Sequence, residues 1–223
     1  MAINGKIIAS RVRSTLLDAD GIFWSDAEIL DALNAAMRAI VVHRPAAYAR
    51  TEAFTLAWGI EQTLPAGAEM LLDVRSNVDG SSGQRVEFAP VRQIDRRMLD
   101  EARPGWMSES GPLVKHFVYD PRTPRVFLVW PRPTTPTKIM CSFSYAPPPV
   151  LDMADEIPLS TLYEPAIHDF ICATLLMRNS SEGNPPNSGD VSRANVFMTS
   201  FATLIGWRSR STASSSATAT PEA

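Results

Sequence analysis

Length, composition and charge limit the class of protein before any motif is considered. The 223-residue chain is 45% hydrophobic and 20% charged, which suits one large or two small globular domains. Its net charge of −3 argues against a basic protein that coats DNA, and its apolar content argues against an acidic disordered chain. No apolar run approaches the roughly 18 residues of a membrane span, and the N-terminus lacks a signal-peptide pattern. The two cysteines predict a reducing compartment and no disulfide framework.

The first forty-odd residues are predicted to form two helices. Apolar residues recur at every fourth position from Ile8, which places them on one helix face. Turn-forming residues at 18–21 end this pattern. A second helix is predicted to begin at Ser25, because Glu28 stands at the capping-box spacing. Pro45 is predicted to end it, since the residue before a proline disfavours helical geometry.

The middle of the chain has the short apolar patterns of β-strands, with proline-rich turns between them. The residues at 120–124 are expected to form a turn between two strands, and the strand at 138–145 is expected to complete a second hairpin. A short helix is predicted at 95–102. Strands are predicted at 51–58, 61–65, 69–74, 84–91, 114–119, 125–130 and 138–145.

Helical patterns return towards the C-terminus. Pro165 suits the first turn of a helix, and a loop is predicted at 184–189. Asp190 is predicted to cap a last helix that ends at Gly206. Residues 209–223 consist largely of Ser, Thr and Ala and are expected to form an extended C-terminal tail.

These elements predict an α+β fold. Residues 1–50 and 155–208 are expected to form one discontinuous helical bundle from two terminal helix pairs. Residues 51–154 are expected to form an inserted antiparallel domain that resembles a β-sandwich or barrel.

The residue patterns predict no metal, cofactor or catalytic site. The three histidines and two cysteines lack the spacing of zinc ligands, and no phosphate-binding glycine motif or nucleophile motif is found. His168 and Asp169 are adjacent on a predicted helix, where neighbouring side chains point about 100° apart, so no acid–base dyad is predicted. We therefore expect a protein that is not an enzyme and has no cofactor.

The densest positive cluster lies in and around the predicted short helix. Such a cluster is either a solvated helix face with salt bridges or a contact with another subunit or with nucleic acid. Its members, with three residues near the C-terminus, are the candidate partner-binding residues: Arg92, Arg96, Arg97, Arg103, Trp207, Arg208 and Arg210.

The five tryptophans are scattered rather than interleaved with basic residues. This pattern argues against a stacking platform for single-stranded nucleic acid and favours packing in a core or interface. Trp58 and Trp130 could instead form the aromatic platform of a carbohydrate-binding β module on a helical stalk, which is the alternative function. An enzyme of another type would need a deep pocket with two converging titratable groups.

An ordered series of segments, from about Ile8 to Trp207, resembles a known family. The most characteristic segment is HFVYDPRTPRVFLVWP at 116–131. The series is similar to the head-to-tail adaptor (connector, tail tubular protein A-like) proteins of short-tailed bacteriophages. Its other segments are FWSDAEIL at 23–30, LN at 33–34, QTLPA at 62–66, LDVR at 72–75, DR at 95–96, LD at 99–100, PGW at 104–106, YAP at 145–147, IPL at 157–159 and Tyr163.

The resemblance implies a structural virion protein with a helical bundle that carries a β domain. Such proteins form homo-oligomeric rings, commonly of twelve copies, between the portal protein and the tail nozzle protein. The ring is assembled in the host cytoplasm and extends the DNA channel, through which DNA passes without specific binding. No catalytic residue is implied, and no membrane is involved.

A conduit for DNA restricts where positive charge can lie. A lumen lined by Lys and Arg would bind phosphates and slow the duplex, so we expect a neutral or negative lumen. The arginines from Arg92 to Arg103 are then expected in contacts between neighbouring subunits or with the nozzle, where a guanidinium can hold a carboxylate.

Overall fold

A computed structural model describes residues 3–78, 85–134, 136–179 and 188–206, with the backbone alone at 85–89. The predicted tail at 209–223 and the candidates Trp207, Arg208 and Arg210 lie outside the described residues. Five α-helices are described: α1 (Gly5–Leu16), α2 (Asp26–His43), α3 (Arg96–Ala102), α4 (Glu164–Asn179) and α5 (Ser188–Leu204).

Ten strands accompany these helices, and together they establish the α+β fold. In chain order they are β1 (Ala49–Thr55), β2 (Glu61–Thr63), β3 (Ala68–Val78), β4 (Arg85–Pro90), β5 (Arg92–Gln93), β6 (Ser110–Gly111), β7 (His116–Tyr119), β8 (Val126–Trp130), β9 (Arg132–Pro133) and β10 (Lys138–Tyr145).

The described residues divide into two compact units. Those up to His43 and those from Pro149 onward form a helical unit, and Arg44–Pro148 form a β unit. Both boundaries fall several residues before the predicted ones at 50 and 154. The chain enters β1 already at Ala49, and on its return Val150 is anchored by the side chain of Asn34.

In the helical unit, α4 packs against α1, α2 and α5. The predicted capping box is confirmed: the Ser25 amide donates to Glu28 Oε2 at 2.9 Å, and the Glu28 amide donates to Ser25 Oγ at 3.3 Å. α2 ends at His43, directly before the Arg44–Pro45 pair, as predicted.

The prediction that Asp190 caps the last helix is wrong. α5 already includes Ser188, so Asp190 lies within its first turn, where a carboxylate interacts favourably with the helix dipole. Its Oδ2 accepts a hydrogen bond from Asn179 Nδ2 at 3.3 Å, which joins the last residue of α4 to the start of α5. The last two positions of the loop predicted at 184–189 are therefore helical.

The β unit contains two four-stranded sheets that share an apolar core. The first sheet has the order β1-β10-β3-β4 and is antiparallel, and the second has the order β2-β8-β7-β5. The prediction of an antiparallel domain is only partly correct, since β5 is parallel to β7 and β6 is parallel to β9. Side chains from both sheets meet in the core, among them Phe117, Phe127, Ile139, Cys141 and Phe143.

One strand pairing differs from the sequence prediction. β7 and β8 form the expected hairpin, but β10 does not complete a second one and pairs instead with β1 and β3. Both edges of β8 are occupied, by β2 and β7, so no edge remains for β10. β10 thus becomes a central strand of the first sheet.

A smaller apolar cluster holds α3 on the second sheet. Phe117, Phe127 and Val129 belong to the inter-sheet core, whereas the alternating residues Val118, Leu128 and Trp130 belong to this cluster with Leu99 and Trp106. Alternation along a strand places these two sets on opposite faces of the sheet. α3 and the residues after it therefore pack on the face that points away from the sandwich core.

Within the ranges that the structure describes, no helix has the length and apolar character required to cross a bilayer.

Candidate interaction surfaces

The predicted arginine cluster lies on and around α3. Asp95 caps this helix by accepting a hydrogen bond from the Arg97 amide at 2.8 Å. Trp106, whose side chain is 1% exposed, donates from Nε1 to Asp100 Oδ1 at 2.7 Å. The helix is thus fixed from both ends, and the backbone positions of its arginines are fixed with it.

Two of the four arginines form the salt bridges expected of a solvated face. Arg96 pairs with Asp100 at 3.6 Å, and Arg103 Nη1 donates to Glu109 at 3.1 and 3.3 Å. The structure thus supports the salt-bridge interpretation for these two.

The other two arginines remain without such partners. Neither Arg92 nor Arg97 forms an ion pair within the described parts of the chain. Both residues are exposed, so their guanidinium groups are available to another molecule.

Arg92 and Arg103 border a stacked aromatic pair. Arg92 stands opposite His116 in the β5–β7 register, and the His116 and Trp130 rings stack with centroids 5.4 Å apart. Arg103 Cζ lies 5.2 Å from the Trp130 centroid, a cation–π contact. Burial lowers the pKa of His116, and the charges of Arg92 and Lys115 lower it further, so the ring is neutral at pH 7.

The tryptophans of the proposed carbohydrate platform differ in exposure. Trp130 is 8% exposed and belongs to the cluster beneath α3, whereas Trp58 is 75% exposed. The buried ring of Trp130 therefore adds nothing to an exposed platform. Arg132 Cζ lies 5.8 Å from the centroid of Trp58.

Trp58 is displayed on a loop built around one buried amide. Gln62 is fully buried; its Oε1 accepts from the Ala57 amide at 2.7 Å, and its Nε2 donates to the carbonyls of Ala57 and Gly59 at 3.1 and 3.0 Å. Gly59 has φ +120°, a conformation that suits glycine. We call residues 57–60 the Trp58 loop.

A second fixed loop joins α1 to α2, and we call residues 17–24 the α1–α2 turn. Asp18 is buried, and its carboxylate accepts hydrogen bonds from the amides of Ile22, Phe23 and Trp24 at 2.8, 3.1 and 3.0 Å. Leu17 adopts the left-handed conformation that ends α1. One side chain thus organises the whole turn.

Arg13 supports the same turn from α1. Its Nη2 donates to the Trp24 carbonyl at 3.2 Å and to Asp26 Oδ1 at 2.6 Å. Gly21 has φ +66°, and a Cβ there would stand 3.1 Å from the guanidinium. The positive φ favours glycine at that position, and any larger side chain would also displace the Arg13 guanidinium.

The α1–α2 turn presents large apolar side chains to solvent. Leu17, Ile22 and Phe23 are 86%, 78% and 75% exposed. The turn-forming residues at 18–21 predicted a break between helices, and this exposed apolar surface was not predicted. The available signal was an apolar pair, Ile22–Phe23, directly after turn-forming residues.

The charge of Asp18 makes the turn sensitive to acid. Burial raises the pKa of Asp18, but the amides of Phe23, Trp24 and Ile22 and the charge of Arg13 lower it by more, so the pKa is held below the ordinary value of an aspartate.

An acid whose folded-state pKa is depressed stabilises the fold fully above its unfolded pKa and loses that contribution as the pH falls through the folded value. We expect the free energy of unfolding of wild type to fall more steeply than that of Asp18→Asn below about pH 4, with parallel profiles above about pH 5. Urea unfolding across this pH range measures the difference, with Asp20→Asn as control. Parallel profiles throughout would contradict the assignment.

A cavity of about 440 Å³ lies in the helical unit, with Lys6, Ser10, Arg13 and Asp26 among its lining residues. Its only described carboxylate, Asp26, is bonded to Arg13, which also holds the Trp24 carbonyl. This pair already has a structural role in the α1–α2 turn.

The prediction that His168 and Asp169 form no dyad is wrong. His168 Nδ1 lies 2.9 Å from Asp169 Oδ1, although the two residues are adjacent on α4. Although the Cβ directions diverge by about 100°, the χ rotamers allow the His168 ring and the Asp169 carboxylate to turn towards each other. The other ring nitrogen, Nε2, lies 2.9 Å from Thr15 Oγ1 on α1 and 3.6 Å from Cys172 Sγ.

This arrangement connects helices and holds no activated nucleophile. Burial, with a smaller effect of Asp169, raises the pKa of Cys172 to about 12, so the thiol is protonated at neutral pH. Thr15 Oγ1 donates to the Arg11 carbonyl at 3.0 Å, so its proton is engaged within α1. The network therefore joins α1 to α4 by hydrogen bonds.

In the part of the chain that the structure describes, no three His, Cys, Asp or Glu residues cluster as metal ligands would. No protein-family model matches the chain, and no curated protein matches it.

Proposed function

We propose that the protein is a head-to-tail adaptor of a short-tailed bacteriophage, a ring subunit between the portal and the tail nozzle. The ordered segments from Ile8 to Trp207 support this, because their resemblance is to that family. The architecture supports it too: helices from both ends of the chain form one unit, and a β-sandwich is inserted between them. That is the arrangement the resemblance implies.

The observation that carries the proposal is the presence of fixed loops with exposed apolar side chains in both units. Asp18 fixes the α1–α2 turn, and Gln62 fixes the Trp58 loop. Burying apolar surface contributes about 25 cal/mol per Å², and a loop that is already ordered loses little entropy on binding. Ordered loops with exposed apolar side chains suit a protein whose surface is buried against neighbouring subunits in an assembly.

In this role the protein acts through contacts and needs no chemistry. Arg92 and Arg97 are proposed to contact neighbouring subunits or the nozzle, whereas Arg96 and Arg103 are already paired with Asp100 and Glu109. Trp207, Arg208, Arg210 and the tail that follows are proposed to contact the portal. DNA passes through the ring without specific binding, and the mature protein resides in the neck of the virion.

Sedimentation velocity and negative-stain microscopy of the purified protein, with and without the portal protein of the same virus, test the proposal. We expect a cyclic particle, of about twelve subunits if the resemblance extends to stoichiometry, and its co-sedimentation with portal. A protein that stays monomeric under both conditions would contradict the proposed function.

A carbohydrate-binding β module is the second candidate, and the exposure of Trp58 favours it. One ring beside Arg132 is a smaller platform than the two tryptophans considered from sequence. Binding to immobilised glycans that Trp58→Ala abolishes would favour this alternative. Ring formation without glycan binding would favour the adaptor.

A further inference from the structure

We propose that the α1–α2 turn of one copy docks on the exposed face of α3 in a second copy of this chain. This inference rests on the proposed ring and names the two surfaces that meet within it. It assigns a partner to the apolar side chains of the turn and to Arg97, the arginine of α3 that forms no ion pair within the described residues.

The turn combines apolar and acidic groups. Residues 17–31 contain five carboxylates and no Lys, Arg or His. Asp18 is bonded to backbone amides, Asp26 to Arg13, and Glu28 to the Ser25 cap. Asp20 is exposed at the turn itself and forms no ion pair within the described residues, so its charge is available beside Ile22 and Phe23.

The exposed face of α3 combines apolar and basic groups. Leu99 points into the cluster with Trp106, whereas its neighbour Met98 is 62% exposed. Arg97, next to Met98, is exposed and forms no ion pair within the described ranges. Methionine adapts its shape to a partner, and a guanidinium holds a carboxylate through paired hydrogen bonds.

Complementary charge and shared apolar character match these two surfaces to each other. Because they are different surfaces of the same chain, a contact between two copies leaves one free turn and one free α3. Such a head-to-tail contact propagates, and it closes into a ring when the rotation between copies divides a full circle without a shift along the axis. The inferred contact is therefore of the kind that a ring of identical subunits requires.

Charge exchange tests the contact. Asp20→Arg and Arg97→Glu each place like charges opposite each other, and we expect each to raise the protein concentration at half-assembly at least about tenfold. The double variant, which carries both substitutions, restores opposite charges and is expected to assemble at the wild-type concentration. Sedimentation velocity over a concentration series, with portal if wild type requires it, gives these midpoints.

Mixing the two single variants is the sharper form of the test. In an alternating arrangement, the substituted turn of one variant meets the substituted α3 of the other with opposite charges, and the unaltered surfaces meet as in wild type. We expect equimolar mixtures to assemble where each variant alone does not. Simple misfolding of either variant cannot produce this rescue.

Matched variants separate the contact from general effects of charge and hydrophobicity. Arg122→Glu, at the exposed β7–β8 turn, makes the same charge change outside the contact and is expected to leave assembly unchanged. Phe23→Ser is expected to weaken assembly without lowering thermal stability, whereas Val42→Ser, which also replaces an exposed apolar residue, is expected to change neither.

The outcomes distinguish failure of the inferred contact from failure of the proposed function. A wild-type protein that never assembles, alone or with portal, overturns both. A wild-type ring that Asp20→Arg, Arg97→Glu and Phe23→Ser leave intact overturns the contact alone. Failure of both the double variant and the mixture to recover assembly also overturns it.

Discussion

Replacing Trp106 with Ala is expected to lower the free energy of unfolding by about 3–5 kcal/mol, as for other large buried aromatic side chains. Trp106 is almost fully buried and packs with Leu99 and Trp130. Its loss leaves a cavity beneath α3 and also removes the hydrogen bond from Nε1 to Asp100. Urea unfolding of the variant and wild type measures the effect.

The damage from Trp106→Ala is expected to concentrate at α3. The cluster under this helix is separate from the inter-sheet core, so hydrogen exchange at 96–102 is expected to accelerate more than exchange in β10. The arginines of α3 then lose their fixed positions, and assembly is expected to weaken as well.

Two further variants define what Trp106 contributes. Trp106→Phe keeps an aromatic ring in the cluster but removes the indole N–H. The lost hydrogen bond is expected to cost about 1 kcal/mol, in addition to the cost of the smaller ring. Trp58→Ala removes an exposed tryptophan and is expected to change stability by less than about 0.5 kcal/mol. Equal destabilisation by Trp58→Ala and Trp106→Ala would contradict the burial of Trp106 beneath α3.

Secondary-structure elements were predicted well where they depend on signals that act over a few residues. The Ser25–Glu28 capping box and the helix end before Pro45 depend on adjacent backbone groups, and both were correct. The strand at 138–145 was placed correctly, but its pairing was wrong. Pairing depends on which strand edges remain free in the whole sheet, and that information is spread over the chain.

The candidate surfaces were predicted only in part for a related reason. The arginine cluster was visible in the sequence, but only the structure separates Arg96 and Arg103, which form ion pairs, from Arg97, which forms none within the described part of the chain. Ile22 and Phe23 are residue types that usually lie in a hydrophobic core. Their exposure follows from Asp18, which holds the turn outward through bonds to residues four to six positions later.

Several residues in the segments on which the resemblance is based hold loop backbone in place through side-chain hydrogen bonds. Asn34 exchanges hydrogen bonds of 2.9 and 2.8 Å with the backbone of Val150, which fixes the returning chain. Asp120 accepts from the Arg122 amide at 2.9 Å in the β7–β8 turn. These positions preserve backbone geometry, and Gln62 belongs to the same group.

Replacing Gln62 with Leu is expected to lower the free energy of unfolding by about 2–3 kcal/mol, because three backbone groups lose their partner. Leucine is apolar but close to glutamine in volume, so the cost comes from the amide of Ala57 and the carbonyls of Ala57 and Gly59. Ala57 is exposed, so water can hydrogen-bond to the freed backbone groups when the loop opens. This hydration limits the loss of stability.

The distinctive expectation is a loop that opens while the sandwich stays folded. Hydrogen exchange at the Ala57 amide is expected to rise towards that of an unprotected amide, with little change in the inter-sheet core. Gln93→Leu, at an exposed position of β5, serves as the control and is expected to change stability by less than about 0.5 kcal/mol.

Gln62→Glu separates hydrogen bonding from packing at this site. At pH 7 the glutamate can accept from Ala57 but cannot donate to the two carbonyls, and its charge lies in a fully buried position. We expect it to be less stable than Gln62→Leu at pH 7 and to recover as the pH falls, since burial raises the pKa of such a carboxyl and its neutral form can donate one bond. If Gln62→Glu matches wild type at pH 7, or if Gln62→Leu leaves the Ala57 amide protected, the buried amide does not hold the Trp58 loop.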